Sequence, residues 1–122
     1  MSCCGTKDTM LLTCSGGCNV GQIANDAARG MDSLGQGKMY CAVGVASAMT
    51  SFIETARKAE VRVAIDGCEV GCVKKALDEA GLSTEVHVVV TDLGVEKAHR
   101  FDYSMDQVGA VMDAVARAVA MR

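Results

Sequence analysis

Seven cysteines stand at positions 3, 4, 14, 18, 41, 68 and 72 of this 122-residue chain. Thiolates hold zinc and softer metals, and they are also the nucleophiles of disulfide chemistry. The stretch Asp66-Gly67-Cys68-Glu69-Val70-Gly71-Cys72 follows an apolar run over residues 61–65 that reads as a buried strand. It opens into residues 73–81, whose amphipathic spacing predicts a helix closed by Gly81. A helix beginning near Cys68 would set Cys68 and Cys72 on one face. Its N-terminus favours negative charge and so thiolate. That is the local chemistry of a metal–thiolate site or of a reactive cysteine pair.

The elements that position these thiols follow from apolar periodicity. Residues 9–13 read as a first strand, ending in the glycine-rich turn Cys14-Ser15-Gly16-Gly17-Cys18. Val20, Ile23, Ala24, Ala27 and Met31 recur at helical spacing, with Asn19 as the expected N-cap. Residues 39–43 read as a second strand containing Cys41. Ser47 caps a second predicted helix, with Met49, Phe52, Ile53 and Ala56 inward. Residues 85–91 form the fourth predicted strand. Ser104 and Gln107 match a capping box before a last helix with Val108, Val111, Met112, Val115 and Val119 inside. Residues 1–8 read as an N-terminal tail and 9–122 as one α/β domain. Strand and helix alternate four times, which predicts a three-layer α/β/α fold around a parallel sheet. The expected strand order is 2-1-3-4, a short flavodoxin- or Rossmann-like arrangement.

In that order the first three strands are neighbours about 4.8 Å apart. Ligands of open parallel sheets bind beyond the carboxyl ends of the strands. Cys14, Cys41, Cys68 and Cys72 therefore reach one edge, and Zn–S bonds of about 2.3 Å permit a shared four-thiolate site. Cys18 is a fifth exchangeable ligand, a resolving thiol or a small buried residue. Adjacent cysteines cannot easily fill two vertices of one tetrahedron, so Cys3-Cys4 reads as part of the tail. His87 and His99 read as satisfied or solvated side chains, Asp66 as an acceptor behind the ligands, and Asp92 as a turn residue. An iron–sulfur cluster is the alternative metal centre. A redox or sulfur-transfer enzyme using Cys68/Cys72 or Cys14/Cys18 is the alternative function, and neither pair has the C-x-x-C spacing of thioredoxin-like motifs.

Composition excludes other classes. The formal net charge is -3 and only 3% of residues are aromatic, which gives neither a basic surface nor stacking platforms for nucleic acid. No apolar run approaches the roughly 20 residues that span a bilayer. The sequence begins without a basic stretch leading into an apolar one, so no secretory signal is read and a cytoplasmic protein is expected. In a reducing compartment, cysteines on a chain able to build its own core point to metal or redox chemistry and not to a disulfide scaffold. Gly16-Gly17 with Gly21 matches neither dinucleotide nor Walker spacing. The arginine that a phosphatase-like loop needs six positions after its cysteine is replaced by Val20 or Ala24. Nothing in the sequence supplies the base and open position of zinc hydrolysis.

The run Cys14-Ser15-Gly16, then 19–25, Gly37-Lys38-Met39 with Cys41, Ala64 to Cys68 with Cys72 and Lys74-Lys75, and Thr91-Asp92-Leu93-Gly94 resembles the DGC-motif family. That family is regarded as zinc-binding because four cysteines recur. The resemblance implies Zn2+ held by Cys14, Cys41, Cys68 and Cys72 and carries no biochemical role; the residues themselves are read as a structural or metal-handling zinc module, not a hydrolase.

Overall fold

Five consecutive buried residues, Thr9–Thr13, form β1, the strand that both core layers share. The computed structural model describes residues 8–122; Cys3-Cys4 and residues 1–7 of the expected tail lie outside the described residues. After β1 come α1 (Asn19–Ser33), β2 (Lys38–Met39), α2 (Ala42–Ala46), α3 (Thr50–Lys58) and β3 (Val61–Asp66). Then follow α4 (Cys72–Glu79), β4 (Val86–Val89), a 3-10 turn (Val90–Leu93) and α5 (Met105–Ala120). The sheet is wholly parallel in the order β2-β1-β3-β4, as expected.

Side chains alternate across a strand, and the core divides accordingly. Leu11, Val61, Val63 and Ile65 pack with Val20, Ile23 and Met31 of α1 and Val108, Val111 and Val115 of α5. Met10, Leu12 and Ala64 pack on the opposite face with Val45, Ala56, Val73 and Leu77. The phenol of Tyr103 donates to Asp26 Oδ2 at 2.5 Å, tying the approach to α5 onto α1. The capping box at Ser104 and Gln107 is present. Among the described residues no helix is long and apolar enough to cross a membrane.

Five local expectations need correction. β4 stops at Val89, and residues 90 and 91 of the expected strand open the 3-10 turn. β2 stops at Met39, so Cys41 lies outside any strand; its sulfur accepts from Gly44 N and caps α2. Ser47 ends α2 instead of starting a helix. Ala48, with φ 60°, turns the chain there, and Met49 caps α3. Cys18, not Asn19, occupies the N-cap of α1. α4 starts at Cys72, after Gly71 at φ 67°, so Cys68 precedes the helix and the shared-face expectation fails.

At the amino end of the sheet, the Arg62 guanidinium is buried and donates to the carbonyls of Ala56, Ala59 and Ser83. It pairs with Glu85 at 3.1 Å, and the Ser83 hydroxyl joins both. Burial pushes the Glu85 carboxyl up. The Ser83 hydroxyl and the Arg62 amide and guanidinium outweigh that and hold it below its ordinary value of 4.5. Removing the carboxylate leaves Arg62 without its counter-charge. Glu85→Gln is expected to destabilise the fold by on the order of 3 kcal/mol at neutral pH, read by urea denaturation. Because the folded-state value is lowered, the advantage of wild type is complete above pH 4.5 and shrinks as pH falls through the lowered value.

Candidate metal centre at the carboxyl edge of the sheet

Cys14 directly follows β1, Cys41 follows β2 by two residues, and Cys68 follows β3 by two. All three strand exits therefore deliver a thiol to one edge, and Cys72 opens α4 beside them. Cys14, Cys41 and Cys72 line a single cleft of about 310 Å3. Its walls include Met39, Tyr40, Val43 and Val73, with Thr13, Ser15 and Asn25 supplying polar atoms. Cys41 and Cys72 are exposed and Cys14 is half-buried.

The sulfurs in the cleft are not bare. Cys14 Sγ accepts from Gly67 N at 3.3 Å, and Cys41 Sγ accepts from Gly44 N at 3.4 Å. Backbone amides aimed at sulfur are the donors that thiolate charge requires. Burial pushes the Cys14 thiol above its ordinary value of 9.0; the Gly16 and Gly67 amides pull it down, and Asp66 and Cys18 push with burial.

Cys68 is placed differently. It does not line the cleft; it packs against the α1/α5 side of the core, the cluster that also holds buried Cys18. Its sulfur accepts from Lys97 Nζ at 3.5 Å. Among the described residues no three His, Cys, Asp or Glu side chains stand together as a metal-holding group. Cys14, Cys41 and Cys72 thus line one cleft without forming such a group, and backbone amides reach two of the three sulfurs.

Asp66 and Gly67 position these thiols. The Asp66 carboxylate is buried and accepts from Val73 N at 2.8 Å, Lys74 N at 3.3 Å and His87 Nε2 at 2.8 Å. It thereby satisfies amides that open α4 and fixes Cys72. His87 is a satisfied side chain, as expected from sequence, and Asp92 lies in the 3-10 turn. A Cβ on Gly67 would stand 2.9 Å from Gly21 N and 2.9 Å from the Val20 carbonyl carbon. The β3 turn thus rests on the backbone of the first turn of α1.

Lys97 was not among the residues that sequence singled out. No periodicity marks it; a clamp on its two neighbours sets its place. Asn19 Nδ2 donates to the Glu96 carbonyl at 2.9 Å, and Asn19 Oδ1 accepts from Ala98 N at 2.8 Å.

A four-stranded parallel α/β domain with thiols at the carboxyl ends of its strands is the class of protein that fold and site define. The chain belongs to the DGC domain family, which matches residues 10–115. The anaerobic and virulence modulator AnvM of Pseudomonas aeruginosa is 31% identical over 93 residues, covering 76% of this chain and 71% of AnvM. No solved structure matches the chain.

Gly67→Ala forces the two turns apart against backbone on both sides. It is expected to cost about 1–3 kcal/mol in chemical denaturation. Gly17→Ala, where an added Cβ meets nothing within 4 Å, should cost less.

Proposed function

We propose that this DGC domain is a metal-handling module that takes zinc into the cleft through Cys14, Cys41 and Cys72. The observation that supports this is that three thiols line one cleft, two of them accepting from backbone amides; binding the ion would have to draw the three sulfurs together. Structural zinc sites close the ion with four protein ligands, whereas three protein ligands leave a position open for exchange. Three thiolates therefore suit an ion that is passed on. Three thiolates and a divalent ion leave a formal charge of about -1, which the Gly44 and Gly67 amides face. An iron–sulfur cluster takes four cysteines, one more than line the cleft. Reduced thiols need a reducing compartment, in keeping with the cytosol.

Loading must displace the Cys14 proton, since burial keeps that thiol protonated at neutral pH. Zinc affinity should therefore rise with pH toward the raised value of Cys14 and weaken in acid, as a competition titration with a chromophoric chelator would show. Protein purified without chelator should carry about one zinc per chain by elemental analysis. Cys14→Ser and Cys41→Ser should lose it while Cys68→Ser keeps it. Metal-free wild type sinks the proposal. Loss of metal in Cys68→Ser would instead restore the four-thiolate site that the family resemblance implies.

A further inference from the structure

The cleft is larger than an ion needs. Its volume of about 310 Å3 equals the liquid volume of about ten waters, whereas zinc lies only about 2.3 Å from each sulfur that holds it. Its place in the sheet is also the one where open α/β folds bind ligands. The connections leaving the neighbouring strands β1 and β3 go to opposite faces, α1 to the Leu11 side and α4 to the Leu12 side. Ligands of such sheets occupy the crevice at that reversal. Thr13 and Cys14 at the end of β1, and Cys72 and Val73 at the start of α4, line the cleft there.

Among the described residues no Asp, Glu, Lys, Arg or His lines the cleft. Nothing there would offset the cost of stripping water from a charged ligand. Met39, Tyr40, Val43 and Val73 supply apolar wall, and one polar corner interrupts it. Thr13 Oγ1 donates to Asn25 Oδ1 at 3.3 Å, which sets the orientation of the carboxamide. Asn25 Nδ2 has no protein acceptor among the described residues and keeps two N–H donors. The Ser15 hydroxyl, also in the lining, accepts from Gln22 Nε2 at 3.5 Å and keeps its own proton to donate. The groups left over call for an acceptor. An apolar space with a few convergent polar groups is the usual form of a small-molecule site. We propose that the cleft binds an uncharged organic molecule of about ten non-hydrogen atoms, apolar in body, with a carbonyl oxygen held by Asn25 Nδ2 and the Ser15 hydroxyl. This ligand occupies the same cleft as the ion, and the inference does not rest on zinc binding.

The test uses the full reduced chain, isotope-labelled for NMR and kept in chelator so that zinc plays no part. Three probes of one shape, benzamide, benzoate and benzamidinium, are titrated and followed by backbone amide shifts. Benzamide is expected to shift the amides of Cys14, Ser15, Cys41 and Val73, and to bind about tenfold or more tightly than either charged probe. Asn25→Leu should weaken benzamide about tenfold, the loss of one hydrogen bond to a desolvated acceptor. Toluene, which has no acceptor, should bind that variant as it binds wild type. Asn25→Asp keeps the acceptor for Thr13 and removes the N–H donors, so it should weaken benzamide likewise. Ala46→Phe, which fills the cleft, should abolish binding of both benzamide and toluene. Cleft amides that do not move up to the solubility limit of benzamide overturn the proposal. Equal binding of a charged probe, or unaltered benzamide affinity in both Asn25 variants, overturns it too. A chain that carries no zinc when purified without chelator, yet binds benzamide in the cleft, would refute the zinc reading and leave this one standing. Zinc loading without benzamide binding would do the reverse.

Discussion

A carboxylate withdrawn from water has to find donors, and the solution found by Asp66 organises the whole carboxyl edge. It is 1% exposed and accepts from two amides of α4 and from His87 on β4. Stripping a carboxylate of water without such partners costs several kcal/mol. The helix start and the neighbouring strand are therefore fixed relative to β3 by the same group. Cys72 is the first residue of the helix so fixed. Its position in the cleft with Cys14 and Cys41 follows from that cap.

Gly67 carries out a second task that only a residue without a Cβ can perform. It brings the turn after β3 onto the backbone of Val20 and Gly21, and from there its amide reaches Cys14 Sγ at 3.3 Å. Gly21 repeats the demand, since a Cβ there would stand 2.5 Å from Gly16 N. The turns after β1 and β3 are consequently one packed unit. Asp-Gly-Cys is thus read in three different ways by the fold: the aspartate caps a helix, the glycine permits contact between backbones, and the cysteine is presented to Lys97.

Much of this was legible in the sequence. Strand order, parallel direction, the inward residues of α1 and the capping box of α5 all follow from periodicity and local capping chemistry. The carboxyl edge as the meeting place of cysteines follows from chain direction alone. What periodicity does not encode is where it stops. Cys41 looks like strand because Met39-Tyr40-Cys41-Ala42-Val43 is apolar, but Cys41 Sγ caps Gly44 and the chain turns into α2. Asn19 has the side chain of an N-cap, yet it bonds the 96–98 segment, a contact across 77 to 79 residues that no local rule anticipates.

The sharpest divergence is the face on which each thiol lies, and period two explains it. Cys14 continues the alternation of Met10 and Leu12 and packs on their side of the sheet. Cys68 has the parity of Ala64 and Asp66, so an extended chain would carry it to that same side. The chain is not extended there: β3 ends at Asp66, and residues 67 and 68 form a bend. Gly67 makes the bend against α1, and Cys68 emerges on the α1/α5 side. A two-residue bend thus divides thiols that share an edge into two environments. On one side an apolar-walled cleft holds three sulfurs with backbone amides behind two of them. On the other, the Cys68 sulfur accepts from the exposed Lys97 ammonium at 3.5 Å. The carboxyl edge therefore presents its thiols on both faces of the sheet, and chain direction alone does not say which face each one takes.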